Sequence, residues 1–209
     1  MATLEYAGKG LVGVLTPQAN TTAEPEFNIM WPQGVAMVVA RLTSPSPSMM
    51  DRMAEYSDGL RATLDQFSNA PLDAVAFACT GSSYLIGRER EAEWCAAIEA
   101  ERQYPLITAA RAVTDWLSAL GAKQIGLVSP YPPDLTEESV AYWQSAGYDV
   151  AEVAAIYKDE GDFHPIYSLN ADSGGAGLDA LATKNVDAIV MLGTGMPTLG
   201  SIWERANWD

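Results

Sequence analysis

The sequence predicts an α/β fold made from a duplicated parallel-sheet unit. Two lobes are expected to be related by a pseudo-twofold axis, with the active site in the cleft between them. Two observations lead to this prediction. Apolar, strand-like runs alternate with segments of helical spacing along the 209 residues, which is typical of parallel sheets covered by helices. In addition, the second half of the chain repeats motifs of the first half.

The predicted elements follow one another in alternation. Strands are continuous apolar runs, and helices carry apolar residues three or four positions apart. Pro17 closes the first strand, and Gly121 and Gly147 each end a helix. The predicted strands are 11–16, 34–42, 73–79, a short one around Leu106 and Ile107, 124–129, 149–157 and 187–192. The predicted helices are 49–69, 84–101, 109–120, 135–146, 175–184 and one beginning within 198–206.

The repeat is visible in two pairs of segments. DAVAFACTGSSYL (73–85) matches DAIVMLGTGMPTL (187–199) at an offset of 114, and VGVLTPQ (12–18) matches IGLVSPY (125–131) at an offset of 113. Chance similarity of apolar strands is the alternative, and the shared Thr-Gly and Pro positions favour duplication. We therefore predict an N-terminal α/β lobe over 1–112, with the first cysteine motif, and a C-terminal lobe over 113–209. The C-terminal lobe is expected to lack its last strand, because the copy of the strand near Leu106 would lie beyond Asp209.

Composition excludes several classes of function. The net charge is −15 and the sequence contains no basic stripe, so nucleic acid is not an expected partner. No segment approaches the length of a membrane span, and the N-terminus lacks the layout of a signal peptide. Two cysteines form neither a disulfide framework nor a zinc pattern. The expectation is a cytoplasmic protein that needs no membrane, and a homo-oligomer is left open.

Polar residues cluster where four predicted strands end, which is where ligands bind in open parallel sheets. The Thr-Gly turns after two strands expose successive backbone N–H groups, which suit a small carboxylate or dicarboxylate. An ordinary strand–helix turn is the alternative for each of them. The candidate substrate-binding residues are Pro17, Asn20, Thr21, Thr80, Gly81, Ser82, Tyr131, Thr194, Gly195 and Met196.

Cys79 is the candidate catalytic residue. It lies where a strand meets a loop, close to a predicted helix start that would lower the pKa of its thiol. Cys95 lies in the middle of a helix beside Trp94 and is expected to serve packing. The single histidine, His164, has no visible partner, so a Ser-His-Asp triad is not favoured. No cluster of carboxylates supports a metal site.

Four motifs resemble the aspartate/glutamate racemase superfamily, and within it the maleate cis-trans isomerase and arylmalonate decarboxylase branch. ANTTAEPEF (19–27) resembles the motif that grips a substrate carboxylate, and SPYPPDLTEE (129–138) resembles the tyrosine loop. ACTGSS (78–83) and LGTGMPTL (192–199) resemble the two cysteine motifs. The similarity covers nearly the whole chain, with the motifs in family order. It implies two Rossmann-like lobes and neither metal nor organic cofactor.

The chain departs from that family pattern at one position. Racemases of the superfamily place two cysteines on opposite faces of the substrate carbon, whereas this chain has Gly193 in the second motif. The departure favours an arylmalonate-decarboxylase-like enzyme that acts on a malonate-type acid through an enediolate, with Cys79 as the single proton donor and Gly193 leaving room opposite. One alternative is a maleate-isomerase-like enzyme with Cys79 as the nucleophile. Another is a pseudoenzyme that only binds carboxylates.

Overall fold

A computed structural model describes residues 4–158 and 165–205, in which the chain forms two α/β units. The first unit comprises the chain up to Ala19 together with Ala23–Ala112. The second comprises Asn20–Thr22 together with the chain from Val113 onward. His164 lies outside the described residues.

The first unit is a four-stranded sheet with helices before and after its strands. Its strands are β1 (Gly10–Pro17), β2 (Val35–Leu42), β3 (Ala74–Phe77) and β4 (Leu106–Thr108). Its helices are α1 (Ala23–Met30), α2 (Met49–Asp58), α3 (Leu60–Leu64), α4 (Thr80–Ile86) and α5 (Arg88–Arg102), and a 3₁₀ turn spans Asp65–Phe67. Helix α6 (Ala109–Leu120) carries the chain across the boundary between the units.

The second unit is a three-stranded sheet. Its strands are β5 (Gln124–Ser129), β6 (Asp149–Ala155) and β7 (Ala188–Met191). Its remaining helices are α7 (Pro133–Ser145), α8 (Pro165–Ser168), α9 (Ala171–Leu181) and α10 (Leu199–Arg205). None of the helices within 4–158 and 165–205 has both the length and the apolar character needed to cross a bilayer.

The α/β fold with two parallel sheets is confirmed. The strand order is β2-β1-β3-β4 in the first sheet and β6-β5-β7 in the second, and every pair is parallel. The central strands β1 and β5 are almost entirely buried, which explains their continuous apolar sequences. Their carboxyl ends therefore open at one edge of each sheet, next to the ends of β3 and β7.

The repeated Asp-Ala dipeptides have a structural role that is the same in both units. The Asp73 carboxylate accepts the backbone N–H of Leu11 at 2.7 Å, at the start of β1. The Asp187 carboxylate accepts the N–H groups of Lys123 and Gln124, both at 2.8 Å, at the start of β5. Each aspartate thus fixes the register of the central strand against its neighbour. These matched contacts are made by aspartates that lie 114 residues apart in the chain, and they support duplication.

Several helices differ from the prediction at glycines or at short segments. The predicted helix 49–69 is interrupted at Gly59, and the predicted helix 84–101 divides at Gly87, whose φ is +73°. Such a left-handed residue ends one helix and lets the next begin in a new direction. Helix α1 was not predicted, because its eight residues are too few to show a clear helical period.

Candidate active site

Cys79 follows the buried strand β3 directly. The chain leaves β3 through Ala78, whose N–H donates to the carbonyl of Leu15 at 2.8 Å. Cys79 itself has extended backbone angles, φ −145° and ψ 95°, and precedes Thr80, the first residue of α4. Its side chain is buried, with 3% of the residue exposed. The strand end thus fixes the backbone of the thiol on both sides.

The thiol of Cys79 is hydrogen-bonded to a serine one turn along α4. The distance between Cys79 Sγ and Ser82 Oγ is 3.2 Å. The Ser82 hydroxyl also donates to the main-chain carbonyl of Met53, at 2.7 Å. Ser82 is fully buried, so water does not compete for these bonds. Met53 belongs to α2, and this serine therefore connects the thiol to a second helix.

Opposing effects act on the pKa of Cys79. Burial raises the pKa above its ordinary value, because a thiolate loses hydration in the interior. The Ser82 hydroxyl and the backbone N–H groups of Ser82 and Gly81 lower it in part, because each can donate a hydrogen bond to the thiolate. The resting group is accordingly a neutral thiol that has three donors in place for the thiolate. The sequence predicted a lowered pKa, and this expectation is wrong because burial outweighs the donors.

Gly81 allows α2 to approach the cysteine loop, the ACTGSS segment (78–83), closely. A Cβ atom at this position would lie 2.1 Å from Sδ of Met53 and 2.9 Å from its methyl group. Any larger residue would push the Met53 side chain away. The glycine of the ACTGSS motif therefore has a packing role, whatever its backbone N–H contributes to a ligand.

Tyr56, also on α2, is a neighbour of Cys79 that the sequence did not single out. It is 5% exposed, and its hydroxyl oxygen accepts the backbone N–H of Gln18 just beyond β1. Burial is the largest cause of its raised pKa, and the charge of an ionised Cys79 raises it further. Tyr56 therefore stays protonated beside a thiolate. Its helical position offered no signal, since aromatic residues at such spacing mostly serve packing.

The second motif forms a turn after β7 that begins at Gly193. The φ of Gly193 is +87°, a left-handed conformation that favours glycine. A Cβ atom here would lie 2.6 Å from Cδ1 of Ile166, 3.0 Å from Cγ of Pro130 and 3.3 Å from the Tyr131 hydroxyl oxygen. The turn closes with a bond from the N–H of Met196 to the carbonyl of Gly193, at 3.3 Å. Neighbouring atoms therefore fill the space that a second cysteine side chain would use.

Asn20 and Thr194, both predicted to bind substrate, are in contact. The Asn20 amide donates to the carbonyl of Thr194 at 3.2 Å and lies 3.3 Å from its hydroxyl oxygen. Thr22 strengthens this contact, because its hydroxyl donates to the main-chain carbonyl of Gly195 at 2.8 Å and its N–H donates to the side-chain Oδ1 of Asn20 at 2.9 Å. Thr21 is exposed. The sequence missed the bonding role of Thr22, although it lies within the quoted motif.

The tyrosine loop is fixed by a chain of hydroxyl groups. Ser129 Oγ and Thr136 Oγ1 lie 2.7 Å apart, the Ser129 oxygen accepts the N–H of Tyr131 at 3.3 Å, and the Thr136 hydroxyl donates to the Tyr131 carbonyl at 3.2 Å. Tyr131 is 3% exposed. These bonds fix the Tyr131 backbone, and the Tyr131 hydroxyl lies beside the Gly193 turn.

The candidate residues fall into two groups, one in each unit. The first contains Pro17, Cys79, Thr80, Gly81 and Ser82, and the second contains Asn20, Thr21, Tyr131, Gly193, Thr194, Gly195 and Met196. A common site for the two groups stays a prediction. Among residues 4–158 and 165–205, no three His, Cys, Asp or Glu side chains are gathered in a way that would hold a metal ion.

Comparison with known proteins identifies sequence relatives. The family model described as arylmalonate decarboxylase matches residues 12–163. The maleate isomerase of Pseudomonas putida is 29% identical over 158 residues, and that of Geobacillus stearothermophilus is 27% identical over 160. Each alignment covers 69% of this chain and 62% of the relative, so the match spans less than two thirds of those proteins.

Solved structures share the fold at lower identity. A maleate isomerase from Pseudomonas putida has a TM-score of 0.83 at 24% identity, covering 94% of this chain and 84% of that one. A cysteine-to-serine variant of Nocardia farcinica maleate cis-trans isomerase, with a covalently bound succinylcysteine intermediate, has a TM-score of 0.79 at 21% identity, covering 93% and 84%. A liganded variant of arylmalonate decarboxylase has a TM-score of 0.75 at 17% identity, covering 94% and 83%.

Proposed function

Because the chain belongs to the arylmalonate decarboxylase family, we propose that it is a cofactor-independent enzyme that uses Cys79 on a small dicarboxylate. The reaction we put first is cis–trans isomerisation of a maleate-type acid, with Cys79 as the nucleophile. The sequence alone placed decarboxylation first and isomerisation second, and we reverse that order. The names of the curated relatives support the new order, since both relatives described above are maleate isomerases.

The observation that carries the proposal is the set of donors around the Cys79 sulfur. The nucleophile in an attack on a carbon–carbon double bond is the thiolate. The backbone N–H groups of Gly81 and Ser82 and the Ser82 hydroxyl all lower the pKa of the buried thiol. Bonds to a charged acceptor are about twice as strong as neutral ones, so these donors contribute most once the proton has left.

The proposed reaction balances with a single thiol. The thiol proton passes to water, and the thiolate pair forms a C–S bond to one olefinic carbon. The π pair moves to the neighbouring carbon, where the adjoining carboxylate takes up the charge as an enediolate. Rotation about the resulting single bond follows, and return of the pair re-forms the double bond in the trans form and expels the thiolate. Net isomerisation transfers no atom, so Gly193 in the second motif is compatible with it.

We assign the residues of the second unit to the carboxylates of the substrate. Asn20 and Tyr131 would bind one carboxylate, and the backbone N–H groups of Thr194 and Gly195 would stabilise the enediolate. A fixed donor aimed at a developing oxyanion is typically worth about 3–4 kcal/mol. The hydrogen bonds that hold Asn20 against Thr194 support this assignment, because they fix the amide before a ligand arrives.

The test is conversion of maleate to fumarate, followed by proton NMR, with purified protein and no added metal. Cys79→Ala should abolish the conversion, whereas Cys95→Ala should retain it, because Cys95 is buried in α5 and its pKa is raised to about 12. Mass spectrometry should detect a succinyl adduct on Cys79 after acid quench. Turnover by well-folded Cys79→Ala would refute the nucleophile assignment.

Decarboxylation of a malonate-type acid is the second candidate, because it needs a single thiol, although the crowded Gly193 turn does not offer the room that the sequence led us to expect at this position. With one thiol, the enzyme would break the bond to one carboxylate, release CO2 and protonate the enediolate carbon from Cys79; water would then restore the thiol proton. The raised pKa of Cys79 suits such a proton donor. Release of CO2 from arylmalonates, with no fumarate from maleate, would decide for this candidate. Binding of both acids without turnover would identify a pseudoenzyme.

A further inference from the structure

The Ser82 hydroxyl lies between the thiol of Cys79 and a helix carbonyl, and each of its bonds has a defined direction. A hydroxyl has one proton. The carbonyl of Met53 has none to offer, so at 2.7 Å the proton of Ser82 belongs to that bond. At 3.2 Å from the sulfur, Ser82 Oγ can then only accept the S–H proton. The resting arrangement is a chain from S–H to O–H to the Met53 carbonyl.

Loss of the thiol proton reverses the direction of the hydrogen bond between Cys79 and Ser82. A thiolate accepts hydrogen bonds and cannot donate, so the Ser82 hydroxyl must turn its proton from the Met53 carbonyl to the sulfur. The exchange is favourable because a bond to a charged acceptor is stronger than a neutral one, and because S–H is a weak donor. Turning the proton requires no movement of the Ser82 oxygen, since this atom is already 3.2 Å from the sulfur.

We propose that Ser82 is a positioning residue for Cys79, which holds the thiol in the resting protein and donates to the sulfur after the proton has left. The proposal rests on the proposed function in one respect, because it assumes that the reaction passes through a thiolate. It extends that function by assigning to Ser82 a task separate from contact with substrate. The close packing of α2 at Gly81 supports it, because Met53 is held against the cysteine loop.

Other groups on α2 also affect ionisation in this region. The charged groups here are Arg52, whose charge lowers the pKa of Tyr56, and Glu55, whose charge raises it. An ionised Cys79 raises the pKa of Tyr56 further, so this tyrosine stays neutral when the thiol ionises. Removing the Ser82 hydroxyl leaves all three in place. A shift seen on its removal therefore reports the hydroxyl and not a change of charge.

The test measures ionisation of Cys79 without substrate. In a Cys95→Ala background, the rate of alkylation of Cys79 by iodoacetamide is followed by peptide mass spectrometry as a function of pH. Slow access of the reagent to the buried thiol lowers the alkylation rate by the same factor at every pH, so the midpoint of the pH profile is unchanged. For Ser82→Ala we expect the midpoint to rise by about one pH unit, with about tenfold slower alkylation at a fixed pH below it.

Two further variants serve as controls. Ser83→Ala removes a neighbouring hydroxyl on α4, fully buried and with no hydrogen-bond partner in the described part of the chain, and its midpoint should match the parent. Ser82→Thr keeps the hydroxyl and should also match the parent, which gives a test even if Ser82→Ala does not fold. An unchanged or lowered midpoint in folded Ser82→Ala, or a rise in Ser82→Thr, would overturn the proposal.

The experiments distinguish failure of this proposal from failure of the proposed function. If no acid is turned over but the Ser82→Ala midpoint rises, the role of Ser82 stands and the proposed reaction fails. If maleate is isomerised but the midpoint does not move, the reaction stands and the role of Ser82 fails. If both hold, the acid limb of the kcat/KM profile should move by the same amount as the alkylation midpoint.

Discussion

Replacing Gly193 by alanine should destabilise the protein through two separable effects. Its φ of +87° is unfavourable for any L-residue, at a cost of about 1–2 kcal/mol. The new Cβ would also lie 2.6 Å from Cδ1 of Ile166 and 3.0 Å from Cγ of Pro130. The isoleucine methyl can rotate away but the proline ring has less freedom, so the overpacking adds about 1–2 kcal/mol. The total is about 2–4 kcal/mol.

A matched glycine separates the two effects. Gly147 has φ +91°, and a Cβ there would meet no atom within 4 Å. Gly147→Ala should therefore show the backbone cost alone, and the difference between the two variants should be about 1–2 kcal/mol. Urea unfolding followed by circular dichroism measures both. Equal destabilisation of Gly193→Ala and Gly147→Ala would refute the crowding argument.

The result also bears on chemistry at the second motif. By analogy with the two-cysteine racemases that the sequence resembles, Gly193→Cys would supply a second proton donor, so that the product loses optical purity or the enzyme gains some racemase activity. The structure predicts instead that Gly193→Cys mainly loses folded protein, since a thiol side chain starts with the same Cβ contacts. A stable Gly193→Cys variant with racemase activity would show that the turn rearranges.

Three other predictions follow from single contacts. Gly81→Ala should lower stability by about 1–3 kcal/mol in urea unfolding, because its Cβ would displace the Met53 side chain, and a value near zero would contradict this. Asn20→Ala should raise KM for the substrate at least about tenfold with little change in the secondary structure, because a bond to a charged group is worth about 1.5–3 kcal/mol; an unchanged KM would remove Asn20 from the binding group. The pKa of Asp187 is lowered by the backbone N–H groups it accepts, so its stabilisation is complete above the unfolded pKa of about 3.9 and disappears as pH falls through the lower folded value. Asp187→Asn should therefore flatten the dependence of stability on pH below about 4, and a slope equal to that of the parent in acid unfolding would contradict the assignment.

Local sequence was sufficient for the strands and for the position of the cysteine. A buried central strand must be apolar along its whole length, so β1 and β5 could be recognised without any partner. The same periodicity placed Cys79 at a strand end, and the repeated Asp-Ala dipeptides marked two equivalent strand starts. Helix ends were less well predicted where one glycine, such as Gly59 or Gly87, interrupts a continuous helical pattern.

The tertiary structure decided what surrounds those residues. The Asn20–Thr194 contact joins positions 174 apart in the chain, and no local pattern contains it. The bond from Ser82 to Met53 depends on how α2 packs on the cysteine loop, and the crowding at Gly193 depends on Ile166 and Pro130 from other segments. Burial is likewise a property of the folded chain, which is why the pKa of Cys79 is raised where its sequence position alone predicted a lowered value.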